Sequence, residues 1–179
     1  VAPFHRNREY VLRKRFKSLN CCAKQYRSIE WFKDNEPYPW SSQVSHFILD
    51  PADGNQTIFS TVVDFRDDGN YTCVIRHDQH TVNRTVQLQV LDNYPAEPQV
   101  IFRPESRLIG VGHPTWLFCE AFVGSVSLPD LQADIQWLKH DDLFDRLVPV
   151  NSTTFIKKQI VSREKQEILG SFLKFDKVT

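Results

Sequence analysis

Methionine is absent from the chain, which begins at Val1. With no charged-then-apolar leader at its start, the sequence suits a processed or excised fragment. No run of about 18 apolar residues occurs, so no stretch reads as a membrane-spanning helix. Neither sign of charge is in excess, since Lys+Arg and Asp+Glu are both 22. Bulk charge therefore selects no polyionic partner, and nucleic acid is not expected as one. Signatures of catalysis and metal binding are missing too. The six histidines are scattered, without H-E-x-x-H spacing. Their one compact group, His77-Asp78-Gln79-His80, reads as a solvated turn. Asp141, Asp142 and Asp145 lack the glycine and closing glutamate of a calcium loop and read as a surface charge run. There is no G-x-S-x-G, phosphate loop or Cys/His nucleophile pattern. No catalytic residue, metal or cofactor is expected, and this stretch is not read as an enzyme.

Cysteine is sparse, with four in all, and the spacing fits no zinc site. An oxidising compartment is the expectation. Four N-x-[ST] sequons, at Asn55, Asn70, Asn83 and Asn151, point the same way, with Asn70 the weakest because of where it lies.

The most informative stretch that is present runs Asp67-Asp68-Gly69-Asn70-Tyr71-Thr72-Cys73. It reads D-x-G-x-Y-x-C, the corner motif of an immunoglobulin-type sandwich, in which the tyrosine bonds back to the backbone and the cysteine meets a partner on the opposite sheet. Upstream, Trp31 and a cysteine complete the Cys…Trp…Cys order of such domains. Leu19, Cys21 and Ala23 alternate as a half-buried strand, which turns Cys21 inward. The competing register buries Phe16, Ser18, Asn20 and Cys22, a less apolar set. Cys73 is thus expected to bond Cys21, with Cys22 the alternative. Residues 29–34 form the Trp31 strand, residues 35–37 a turn, and residues 58–63 a further strand. Residues 73–76 and 85–90 pair as a hairpin across the histidine group.

Asp92 to Pro98 carries two prolines and reads as a stiff linker. A second cycle follows: Leu117-Phe118-Cys119, then Trp137-Leu138-Lys139 repeating Trp31-Phe32-Lys33, then Leu173, Phe175 and Val178 in a late strand. No second corner motif follows, so the partner of Cys119 is missing. The expected architecture is all-β. It comprises an immunoglobulin-like sandwich over 1–91, a linker over 92–98, and a second sandwich over 99–179, incomplete at its C-terminal end.

One binding signal stands out of the composition. His5, Arg6, Arg8, Arg13, Lys14, Arg15 and Lys17 crowd the N-terminal segment, opposed only by Glu9. Such a cluster attracts polyanions through a salt-sensitive force. Outside the cell the abundant polyanion is sulfated glycosaminoglycan, so these side chains form a candidate heparin patch. The bland alternative is a solvated segment ahead of the first strand.

Beyond the generic motif, the chain resembles the ligand-binding pair of immunoglobulin domains of fibroblast growth factor receptors. Ala2-Pro3-Phe4 with the basic run is similar to the opening and heparin site of that family's second domain. Residues 69–98 match members without a gap, through Asn83-x-Thr85-x-x-Leu88-x-Val90 and Pro95-x-x-Pro98. Ile135 to His140, Asn151 and the run into Phe175 resemble the third domain. The resemblance implies a receptor ectodomain on the outer face of the plasma membrane, with a cytoplasmic tyrosine kinase elsewhere in the protein. It also implies a secreted growth factor held at Tyr94, Pro95, Ala96, Glu97 and Pro98, and heparan sulfate on Arg6, Arg8, Arg13, Lys14, Arg15 and Lys17 aiding receptor dimerisation. Two departures stand out. Glu97 replaces a ligand-contacting arginine, and the spacing from Cys119 to Trp137 is long, with an insertion around 124–133. That spacing and Trp31-x-Lys33-Asp34 resemble the interleukin-1 receptor family, the alternative reading. A third is an adhesion module binding its own kind through sheet edges.

Overall fold

A computed structural model describes residues 6–124 and 133–179. Ala2-Pro3-Phe4, His5 and the centre of the expected insertion lie outside the described residues. The chain divides into two compact units, Val1–Tyr94 and Pro95–Thr179.

The first unit contains β1 (Arg8–Leu12), β2 (Lys17–Asn20), β3 (Ser28–Lys33), β4 (Glu36–Pro37), β5 (Ile48–Asp50), β6 (Thr57–Ser60), β7 (Gly69–His77) and β8 (His80–Leu91). Two sheets form, ordered β1-β8-β7-β3-β4 and β2-β6-β5. Only β1 runs parallel to its neighbour β8; the other pairs are antiparallel. Period-two alternation puts Leu19, Ile29, Trp31, Ile58, Tyr71, Cys73, Leu88 and Val90 into one core between the sheets. The Cys21 to Cys73 disulfide crosses that core, next to Trp31, which faces Cys73 across the ladder.

Three boundaries differ from expectation. The basic segment is not a solvated lead-in: Tyr10, Val11 and Leu12 are buried, and their burial makes β1 a strand of the larger sheet. The turn after Trp31 is Asp34-Asn35, both at positive φ, which joins β3 to β4 as a tight hairpin. The strand expected over 58–63 covers Thr57–Ser60, because Val63 turns away to exchange backbone bonds with Lys14 and Arg15.

At the corner, the Tyr71 hydroxyl donates to the Asp67 carbonyl at 2.8 Å and lies 2.8 Å from the Ser45 hydroxyl. The Asp67 carboxylate is fully buried and accepts from the Asp64 amide, the His46 amide and the Ser45 hydroxyl. Burial pushes the Tyr71 phenol well above its ordinary range.

The second unit holds β9 (Gln99–Phe102), β10 (Thr115–Phe122), β11 (Leu138–Asp141), β12 (Arg146–Pro149), β13 (Ile156–Arg163) and β14 (Ile168–Phe175). A four-stranded sheet orders β13-β14-β10-β9, and among the described residues β11 and β12 form a separate two-stranded sheet. Phe118 packs against Phe102 and Phe172 on one face of β10. Glu120, buried on that face, takes two hydrogen bonds from the Arg163 guanidinium. Cys119 faces the other way, opposite Ser171, which receives the Trp137 indole N–H. Cys119 is a free, half-buried thiol, and burial raises its pKa. The strand expected to carry Trp137 starts one residue after it, at Leu138, and Val178 lies past the end of β14.

Candidate ligand-binding surface

The site grows from a turn. β1 ends at Leu12, and residues 13–15 carry the chain from the larger sheet to β2 in the smaller one. Lys14 takes φ +66, a left-handed conformation that bends the chain sharply. Three backbone bonds fix the bend: Arg13 N–H to Leu91 C=O, Lys14 N–H to Val63 C=O, and Val63 N–H to Arg15 C=O.

Each turn side chain then has a distinct environment. Arg13 Nε donates to Asp64 Oδ1 at 2.9 Å, and its guanidinium lies 4.9 Å from the centre of the Phe65 ring. Asp92 adds a longer ion pair at 3.9 Å. The Phe65 amide, and then Arg13, hold the Asp64 carboxyl below the usual carboxylate range, while desolvation works the other way. Arg15 Nη2 donates to the Tyr94 hydroxyl at 2.8 Å, with its guanidinium 5.6 Å from that ring's centre. Lys14 is exposed between them. Planar guanidinium groups stacked on aromatic rings keep their charge while losing less freedom on binding an anion.

The basic run is therefore not one patch. Arg8 is exposed at the far end of β1, four residues or roughly 13 Å from Leu12 along the strand, and half-buried Arg6 precedes it. Lys17 must be removed from the heparin set. Its side chain is wholly enclosed, and its ammonium meets Glu9 at 3.2 Å, so it presents no charge to a ligand. An internal partner eight residues back explains why a lysine tolerates that position.

Among the linker residues, Tyr94 is exposed and bonded to Arg15, and the Glu97 carbonyl accepts from the Gln99 side chain. Pro95 is half-buried, whereas Ala96 and Pro98 are exposed. Asn70, Asn83 and Asn151 are exposed; Asn55 is half-buried, and its carbonyl receives the Trp31 indole N–H. Cys22 is a free, half-buried thiol. Histidines 77 and 80 close the hairpin tip, His77 lying 3.5 Å from Asp78. The His140 ring bridges Asp142 and Asp145 at 2.9 and 3.0 Å. No group of three metal-ligating side chains converges among the described residues, and no helix among them is long and apolar enough to cross a membrane. Asp64 and Phe65, which orient Arg13, were not singled out from sequence. Their signal is the Asp64-x-x-Asp67 capping pattern just ahead of the corner motif.

Comparison with known proteins bears on residues 16–90, which match the model of the immunoglobulin I-set domain. The chain is 25% identical over 117 residues to fibroblast growth factor receptor 1 of Xenopus laevis, covering 65% of this chain and 13% of that protein. It is 27% identical over 130 residues to X-linked interleukin-1 receptor accessory protein-like 2 of Mus musculus, covering 70% of this chain and 18% of that protein. The chain thus spans less than a fifth of either relative's length. A chimeric titin Z1Z2 structure is similar at a TM-score of 0.42 and 15% identity, over 97% of this chain and 80% of that one. The all-β fold of the first unit agrees with that match to the immunoglobulin I-set domain, which takes in less than half of the chain.

Proposed function

We propose that this chain is the ligand-binding part of a cell-surface receptor's extracellular region, taking a secreted protein growth factor at residues 94–98 with heparan sulfate as co-ligand. The observation that carries the reading is the contact of Arg15 with Tyr94. It joins the basic turn to Tyr94, the first residue of the growth-factor set, so sulfate on the turn would meet that tyrosine. Arg13, Lys14 and Arg15 supply the charge, with Arg6 and Arg8 as a second, separate basic cluster. The distant likeness to fibroblast growth factor receptor 1 supports the same class. By that reading the whole receptor is a single-pass membrane protein with a cytoplasmic tyrosine kinase and works as a dimer.

Binding of fibroblast-class growth factors to the immobilised chain, with and without heparin, tests this. The expected result is heparin-dependent binding weakened by Arg15→Ala. Heparin-independent binding of an interleukin-1-class cytokine would overturn it. That second reading is favoured by the longer match to the interleukin-1 receptor accessory-like protein.

A further inference from the structure

The smaller sheet of the first unit carries an apolar stripe on its outer face. Strand alternation turns Leu19 and Ile58 inward and leaves Phe16, Phe59 and Ile48 outward. Phe16 stacks on Phe59 with ring centres 6.2 Å apart, and Ile48 stands directly opposite Phe59 on β5. Phe16 is 59% and Ile48 51% exposed. The stripe runs from Phe16, just ahead of β2, over Phe59 on β6 to Ile48 on β5. Single exposed apolar residues are ordinary, but a contiguous row on one face of a sheet marks an interaction surface.

The charge around the stripe identifies its occupant. Lys14 and Arg15 flank the Phe16 end. At the opposite end, Asp50 shares a rung with Thr57 and Asn20, and the Asp53 carboxylate accepts from both of those side chains. One end is basic and the other acidic, so the surface complements itself. A two-fold axis through Phe59 lays the basic end of one copy on the acidic end of another, and satisfies both ends at once. With equal numbers of acidic and basic residues, no net repulsion opposes the approach.

We infer that this face is a self-association surface, closing a two-fold dimer through the Phe16, Phe59 and Ile48 stripe. Three short strands spaced about 4.8 Å apart cover only a few hundred Å². That is less than the roughly 800 Å² per partner of a stable interface, so the dimer is a transient one. Such a contact acts when copies are crowded or tethered side by side. The inference does not rest on growth-factor binding.

Sedimentation velocity of the N-glycosidase-treated chain, without heparin, from micromolar to millimolar concentration is the test. Wild type is expected to show a rising weight-average sedimentation coefficient. Phe16→Ser is expected to lose that rise while its elution from heparin stays unchanged, which separates this surface from the basic turn. Lys14→Glu and Asp50→Lys are each expected to be monomeric alone and to associate when mixed, since a mixed dimer restores attraction at both ends. The restoration also shows that both variants are folded. A wild type that stays monomeric, or variants that associate as wild type does, would overturn the inference.

Discussion

Lys17 and Glu9 meet at 3.2 Å inside the first unit, the lysine side chain entirely shielded from solvent. A charge that looks available in the sequence is spent inside the fold. Replacing Lys17 by Met should remove the ammonium that meets the Glu9 carboxylate and destabilise the domain by about 3–5 kcal/mol, whereas Lys17→Met with Glu9→Leu should recover most of that loss. Urea unfolding of the two variants decides it. Equal stability losses would mean that the pair is not closed.

The corner gives a second expectation. Tyr71→Phe removes the donor to Asp67 and the partner of Ser45, at a cost of about 1–3 kcal/mol. Because burial raises the folded phenol's pKa above its ordinary value of 10.0, the folded state holds the proton more tightly than the unfolded one. The associated stability is fully present below that ordinary value and is lost as pH rises beyond it. Thermal unfolding of wild type should therefore fall off more steeply than that of Tyr71→Phe on the alkaline side. Parallel curves would contradict the burial argument.

Asp64 behaves in the opposite sense. Its folded pKa lies below the ordinary 3.8, so its stabilising effect is present above that value and disappears as pH falls through the folded pKa. Arg13→Ala should move the Asp64 midpoint upward without restoring the ordinary value, since the Phe65 amide still donates. Carboxyl-carbon NMR titration reads both. A midpoint unmoved by the substitution would remove Arg13 from the account.

These cases show what a single sequence makes legible. The corner motif is local: Tyr71 reaches back four residues, so spacing alone exposes its hydrogen bond. Trp31 and the inward turn of Cys21 follow from period-two alternation. β1 could not be read that way, because its partner β8 lies at the far end of the domain sequence and short parallel pairing leaves no local signature. Lys17 misleads for the same reason, its counterion being visible only once β1 and β2 are placed. Within the candidate surface, the basic residues were legible from composition. Their division into Arg8 at one end of β1 and residues 13–15 at the other required the fold.

The disulfide supplies a fourth expectation. Removing the bond between Cys21 and Cys73, which are 52 residues apart, should cost about 2–5 kcal/mol. Cys22 should not substitute for Cys21, because its amide is held by the Asn20 side chain while Cys21 donates to Gln56 in the ladder direction. Alkylation with mass mapping should label Cys22 and Cys119 in the native chain, Cys119 faster once denatured because burial raises its thiol pKa. Labelling of Cys21 in a Cys22-bonded chain would contradict the assignment.

The receptor reading turns on the basic turn beside Tyr94, and elution from immobilised heparin in a salt gradient addresses it most directly. Wild type is expected to be retained, Lys14→Ala with Arg15→Ala to elute at clearly lower salt, and folded Lys17→Met with Glu9→Leu to elute as wild type does. Elution unaffected by the turn substitutions, or no retention of wild type, would contradict the account.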